Sequence, residues 1–303
     1  MASLLDVVRQ CQNDNPWEDK SLRAFCVDGV QIGFVPEHVL SVIEAYLAKE
    51  PSVVVIEKDV LTFRPDADAA QRSRDMARLV EWMRDTKKFP DPLDGWRNER
   101  YNIYGPGTDG ARSSVAFTLE RAACGLFGLT TFGVHLTAYL PDGRIWVPRR
   151  SRTKQTWPGY YDNSVAGGIT AGDPPMESIV RECQEEAGLQ EEHVRPYIKQ
   201  TGLITYFYKT TGGWRQPEMQ YIYDLALPSD AIQLAPGDGE AESFDLLDIP
   251  TVLDLMRAGK FKANCTLVLI DFLMRHGWLT AENEKDYTEI VSLLHTPLRL
   301  PTP

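Results

Sequence analysis

No apolar run in this chain of 303 residues is long enough to span a bilayer. The start, Met1-Ala2-Ser3-Leu4-Leu5-Asp6, lacks a basic region followed by a long apolar one, so no secretory leader is expected. Cysteine is sparse: Cys11, Cys26, Cys124, Cys183 and Cys265 are scattered, odd in number and without paired zinc-ligand spacing. Reduced thiols in a cytoplasmic protein are the simplest reading. Positive charge is also scarce. A net charge of −11 argues against the basic face that DNA or RNA requires, and no membrane partner is expected either. A small phosphorylated substrate is compatible with that charge, because a metal ion can supply the positive end. There is no internal repeat, low-complexity tract or coiled-coil pattern.

What is present is a globular composition, 43% hydrophobic and 25% charged, with enough length for a large core and two domains. The pattern changes near residue 115. Before it, a short helix over Leu4 to Cys11 precedes a hairpin, Ala24 to Val27 and Gln31 to Phe34 around Asp28-Gly29. A helix from Pro36 to Ala48, strands at Val53 to Ile56 and Leu61 to Phe63, and an amphipathic helix from Ala67 to Asp85 follow. A stretch rich in Pro, Gly and Asp then reads as loop up to Arg112. After residue 115 a helix is expected over Phe117 to Leu126. Strands follow at Val134 to Leu140, Ile145 to Pro148, Thr201 to Tyr208, Gln220 to Leu227 and Ala241 to Leu247. Late helices are expected at Ile249 to Ala258, Asn264 to His276 and Glu282 to Leu294. The fold class is α+β: a smaller α+β N-terminal domain, residues 1–115, and a C-terminal domain, residues 116–303, with a mixed sheet between helices.

The chemistry is concentrated between Gly167 and Leu189. Asp173 is suited to cap a helix and Pro174 to its first position. At about 100° per residue, Met176, Ile179, Val180, Cys183 and Ala187 share one face, and Glu182, Glu185 and Glu186 another. Gly188 suits the left-handed position that ends a helix. Three crowded carboxylates repel one another unless a divalent cation sits among them, which points to magnesium and phosphate chemistry. The alternative is a solvated acidic face.

These residues resemble the Nudix hydrolase signature, G-x5-E-x7-R-E-U-x-E-E-x-G-U, where U is a bulky aliphatic. Gly167, Arg181, Glu182, Glu185, Glu186, Gly188 and Leu189 all match. Asp173 stands in place of Glu, and Cys183 in place of an aliphatic residue, a mild change because Cys packs as a small hydrophobe. The resemblance implies the Nudix α/β/α sandwich and a pyrophosphohydrolase dependent on Mg²⁺, with Mn²⁺ as substitute. Glu182, Glu185 and Glu186 are the expected metal ligands, with the Gly167 carbonyl as a further one. Arg181 is expected to orient the glutamates by hydrogen bonds rather than to touch substrate. One of the glutamates, or a loop acid such as Glu242 (beside Glu240), would accept the proton of the attacking water. Nudix proteins often dimerise, so a homodimer is compatible with the chain.

Other residues carry two readings each. Arg149, Arg150, Arg152 and Lys154 form either a clamp for diphosphate oxygens or a solvated loop. Trp157, Tyr160 and Tyr161 either stack on a flat heterocycle or belong to the core. His135 is read as a structural histidine, and Lys262 and Asn264 as helix-capping residues or ligand contacts. Trp96-Arg97-Asn98-Glu99 is a wall of the site or an interdomain contact.

More widely, the stretches Gly95 to Glu99, Tyr160 to Gly168 and Asn264 to Phe272 are similar to a Nudix subfamily with an extra N-terminal domain, associated in fungi with thiamine pyrophosphokinase. This resemblance implies that a small-molecule diphosphate, thiamine diphosphate or its damaged oxo and oxy analogues, is hydrolysed to monophosphate and phosphate. Nucleoside diphosphate derivatives such as a sugar nucleotide, ADP-ribose or a dinucleotide are the alternative substrates, and a non-catalytic ligand sensor is the alternative class.

Overall fold

The computed structural model describes residues 2–107, 112–154 and 156–303. The chain begins with α1 (Leu4–Cys11), capped by the Ser3 hydroxyl on the Asp6 N–H. A four-stranded sheet follows, built from β1 (Leu22–Val27), β2 (Val30–Pro36), β3 (Val54–Glu57) and β4 (Val60–Phe63) in the order β2-β1-β4-β3. Asp28 and Gly29 both take positive φ, 50° and 79°, which is why this dipeptide turns the β1–β2 hairpin. Helices α2 (Glu37–Leu47) and α3 (Ala69–Asp85) supply Val39, Leu40, Ile43, Met76, Leu79, Val80 and Met83 to the core over this sheet.

The stretch expected as loop before Arg112 is largely ordered. It forms the short α4 (Pro90–Leu93) and the strand β5 (Arg100–Pro106); its residues 108–111 lie outside those described. β5 pairs with β6 (Ser113–Glu120), so the first half of the expected helix Phe117 to Leu126 is strand, and the second half, Arg121–Leu126, is a 3-10 turn. The reason is pairing with β5: Phe117 and Leu119 are buried with Thr118 less covered between them, and a register shift at Ala116 puts Val115 outward.

The second sheet is mixed. β7 (Thr131–Tyr139), β8 (Ile145–Arg150), β9 (Val165–Gly168), β10 (Ile198–Lys209), β11 (Arg215–Ala226) and β12 (Ala241–Leu247) run in the order β10-β11-β7-β8-β12, with β9 also paired to β7. β11 and β7 are parallel and the remaining pairs antiparallel. Helix α5 (Pro175–Ala187), followed by the short α6 (Glu191–Val194), covers one face through Ile179, Val180, Cys183 and Ala187 against Val134, Leu136 and Tyr223. The other face is covered by α7 (Ile249–Arg257), α8 (Ala263–Arg275) and α9 (Tyr287–Leu294). The last helix is shorter than expected, because Thr280 to Glu284 form hydrogen-bonded turns instead. The result is an α/β/α sandwich.

The two halves interlock. Leu4, Leu5, Val8 and Cys11 of α1 pack into the core beneath α8 and α9. In return Trp214, just before β11, inserts into the N-terminal core against Phe89 and His38. Arg215 pairs with Asp14 and Asp19 across the same seam.

Candidate active site

Helix α5 is held as a rigid carrier. Its apolar stripe is buried, and Gly188 closes it with φ 65°, a left-handed conformation that glycine adopts without penalty. Its start differs from expectation. Pro174, not Asp173, is the capping residue, and no side chain caps the helix. With prolines at 174 and 175, the first turn presents few N–H groups, and Asp173 lies two residues before it. Its carboxylate instead accepts from Arg181 Nη1 at 2.5 Å. Arg181 Nη2 lies 3.7 Å from Glu182 Oε1, so one guanidinium ties the loop acid to the helix acid.

Glu182 and Glu186 point inward, whereas Glu185 is exposed at the edge. Glu186 Oε2 accepts from the Ala166 N–H at 3.0 Å. Gly167, one residue on, has no room for a side chain: a Cβ there would lie 2.3 Å from the Glu182 carboxyl carbon. Burial pushes Glu182 up to about 7, with Arg181 opposing and Glu185, Glu99 and Glu240 adding to the rise. Glu186 is raised well above the usual carboxylate range, chiefly by burial, against the Ala166 bond.

A divalent cation fits this donor set. The donors are hard oxygens, Glu186 is half-buried with no cation paired to it, Glu182 has only the 3.7 Å approach of Arg181 as counter-charge, and the bare Cα of Gly167 makes room for the Glu182 carboxylate. The carboxylates stand apart, however: among the described residues, no group of three or more Asp, Glu, His or Cys side chains is gathered to ion-holding distance.

The loop residues divide into structural and peripheral. Arg150 donates to Asp162 at 2.5 Å and to the carbonyls of Trp157 and Thr156, which makes it the internal brace of its own loop. Lys154 pairs with Glu240 at 2.5 Å. Arg149 donates to the Gly159 carbonyl, and Arg152 is exposed. Glu240, not Glu242, shares a small cavity with Glu186, Asp162 and Arg150. The Glu242 carboxylate accepts from the Arg152 N–H at 2.9 Å. Trp157 and Tyr160 meet edge to face at 5.1 Å, and Tyr161 packs on Phe261 at 5.5 Å; Trp157 and Tyr161 both flank the α8-side core. His135 is buried against Asn163 Oδ1 at 2.7 Å, and burial pushes its imidazole down to about 4.

Two further acids adjoin the site: Asp162, to which the sequence pattern gave no role, and Glu99, from the stretch read as a wall or an interdomain contact. Asp162 is buried and accepts from Arg150, from the Cys265 thiol at 2.6 Å and from the Asn163 N–H at 2.8 Å. Burial works to raise it, but the Lys262 and Arg150 cations hold it below the usual range. Glu99 comes from the N-terminal half. It pairs with Arg121 at 3.0 Å and accepts from Thr170 Oγ1 at 3.4 Å, while the Arg100 carbonyl accepts from the Ala171 N–H at 2.8 Å. Trp96 itself lies away from the acids, under the Arg84 guanidinium at 4.2 Å, lining a separate cavity of about 300 Å³ with Asn98, Arg100 and Glu120.

The sandwich and its glycine-flanked acidic helix are the arrangement expected of a hydrolase of phosphoric anhydrides. A NUDIX domain model matches residues 130–265, and a domain of unknown function, DUF4743, matches residues 3–131. An uncharacterized protein of Saccharomyces cerevisiae is 34% identical over 293 residues, which cover 91% of this chain and 83% of that one. Nudix hydrolase 20, chloroplastic, of Arabidopsis thaliana is 36% identical over 216 residues, covering 70% of this chain and 55% of that one. The chain thus spans little more than half the length of that plant relative. Among solved structures, DR0079 of Deinococcus radiodurans aligns with a TM-score of 0.43 and 20% identity, over 56% of this chain and 97% of that one. The C-terminal part of the chain is thus a NUDIX domain preceded by a DUF4743 region, and the domain together with its Nudix hydrolase relatives supports a pyrophosphohydrolase. Nudix hydrolases act on diphosphate linkages in small molecules and generally use divalent metals such as Mg²⁺ or Mn²⁺. No helix among the described residues is long and apolar enough to cross a membrane.

Proposed function

We propose that the protein hydrolyses the diphosphate of thiamine, or of its damaged oxo and oxy analogues, to the monophosphate and phosphate. One observation carries this reading. The three separated stretches that resemble the thiamine-associated subfamily are linked beside the acidic helix, the third through the second. Glu99 reaches Thr170, Asp162 shares a small cavity with Glu186, Gly167 lies against Glu182, and Asn163 Nδ2 donates to the Cys265 carbonyl at 3.2 Å. Such convergence supports a shared ligand rather than three unrelated packing motifs.

In this reading Glu182, Glu185, Glu186 and the Gly167 carbonyl would hold Mg²⁺. When bound, the ion neutralises the anhydride oxygens and acidifies a water. Arg181, anchored on Asp173, fixes the Glu182 carboxylate. One of the glutamates, or a loop acid, accepts the proton of the attacking water. Burial excludes competing solvent around Glu186. The test is phosphate release in Mg²⁺ from thiamine diphosphate, its oxo analogue, ADP-ribose and a sugar nucleotide. Turnover of the thiamine compounds is expected; turnover of the nucleotides alone would sink the substrate assignment.

A further inference from the structure

Beyond the carboxylates lies a polar cluster that the hydrolysis does not use. The β10–β11 register sets Glu218 opposite Tyr206, and the two-residue step along β11 puts Gln220 on the same face. The Tyr206 hydroxyl donates to Glu218 Oε2 at 2.6 Å, and Gln220 Nε2 donates to that oxygen at 2.5 Å and to the hydroxyl at 3.2 Å. Glu218 Oε1 takes no bond from these groups. Gln220 is only 4% exposed, yet its Oε1 has no partner among the described residues. Lys262, at the entry to α8, feels both the Asp162 and the Glu218 carboxylates and forms a close ion pair with neither. Asn264 adjoins the Tyr206 hydroxyl, and Tyr101 and Arg121 of the N-terminal half face Glu218 from across the seam.

A purely structural set of buried charges is expected to pair directly, because each unpaired group forfeits its hydration without return. Here the Gln220 amide oxygen, packed over Gly133, is sealed off without a partner, while the second Glu218 oxygen and the Lys262 ammonium keep contact with solvent and stay open to a ligand. A ligand that completes them presents an anionic oxygen to Lys262 and an N–H donor to Glu218. Burial raises the Glu218 carboxyl overall, although the Tyr206 bond and the Lys262 and Arg121 cations oppose the rise.

We propose that Lys262 and Glu218 form the subsite for the organic half of the substrate: Lys262 takes an oxygen of the phosphate that stays on the product, and Glu218, oriented by Tyr206 and Gln220, accepts from an N–H of a heterocycle. The inference rests on hydrolysis at Glu182 and Glu186 and adds the class of head group, an amino-substituted heterocycle one phosphate away from the acids.

Calorimetric titration of the full chain, without metal, with thiamine and with thiamine monophosphate separates the two contacts. Glu218→Gln is expected to weaken both ligands about tenfold or more, the loss of a charge-assisted bond. Lys262→Gln is expected to weaken only the monophosphate, and both variants should keep the wild-type melting temperature within a few degrees. If both variants bind both ligands as wild type does while wild type still hydrolyses thiamine diphosphate, the subsite is overturned and the hydrolysis stands. If wild type releases no phosphate from thiamine diphosphate but thiamine binding still falls in Glu218→Gln, the hydrolysis reading fails and the subsite stands.

Discussion

A Cβ placed on Gly168 would lie 1.8 Å from the hydroxyl oxygen of Tyr101. The tyrosine of the N-terminal ribbon is therefore seated directly on the glycine pair that precedes the acidic helix, and the two halves are fitted at the site itself. Gly168→Ala should cost about 1 to 3 kcal/mol, as overpacking does, and should lower turnover. Tyr101→Phe removes the colliding oxygen and should recover part of both losses in the double variant. Thermal unfolding and steady-state kinetics of the four proteins check this; additive losses would show that the two residues do not meet.

Gly167 faces the other way, toward Glu182. Gly167→Ala should displace the Glu182 carboxylate and reduce kcat by about 100-fold or more, while the melting temperature changes little. Mg²⁺ titration followed by thermal shift should show weakened binding in the same variant. Wild-type metal affinity in Gly167→Ala would mean that Glu182 is not held by this contact.

Glu182 and Glu186 set a pH dependence. Both are raised by burial, Glu182 to about 7 from the ordinary 4.5, so the folded chain binds more protons than the unfolded one across that interval. The metal-free protein should accordingly lose stability as pH rises from about 5 to about 8, relative to the Glu182→Gln, Glu186→Gln double variant. Mg²⁺ favours the ionised carboxylates, so it should raise the wild-type melting temperature more at the upper pH and leave the variant unmoved. Equal Mg²⁺ shifts at both pH values would refute the assignment of these acids.

Arg150 distinguishes a brace from a substrate clamp. Its side chain and that of Asp162 are 12% and 10% exposed, and breaking such a buried pair costs about 3 to 5 kcal/mol. Arg150→Met should unfold at a clearly lower temperature, whereas Arg152→Ala, an exposed change, should be stable. A variant of Arg150 with native stability and only a raised KM would restore the clamp.

The acidic helix was legible because its evidence is local: a 3.6-residue period separates Ile179 and Cys183 from Glu182 and Glu186, and Gly188 marks the end. The Asp28-Gly29 hairpin was legible for the same reason. Asp173 misled because two prolines follow it, and its true partner, Arg181, lies a full two turns away. Phe117 to Leu126 misled because a two-residue alternation runs into Arg-Ala-Ala-Cys, and only the pairing of β6 with β5 decides the conformation. The roles of Arg150 and Lys154 depend on Asp162 and Glu240, partners that tertiary structure alone supplies. The irregularity between Ala241 and Ser243 likewise decides that Glu240 rather than Glu242 joins Glu186, and no spacing rule reveals it.

The most direct measurement is Mg²⁺-dependent phosphate release from thiamine diphosphate by wild type and by Glu186→Gln, both folded by circular dichroism. Release by wild type, reduced by about 100-fold or more in the variant, is the predicted result. Equal rates in the two proteins would contradict the assignment of hydrolysis to the acidic helix.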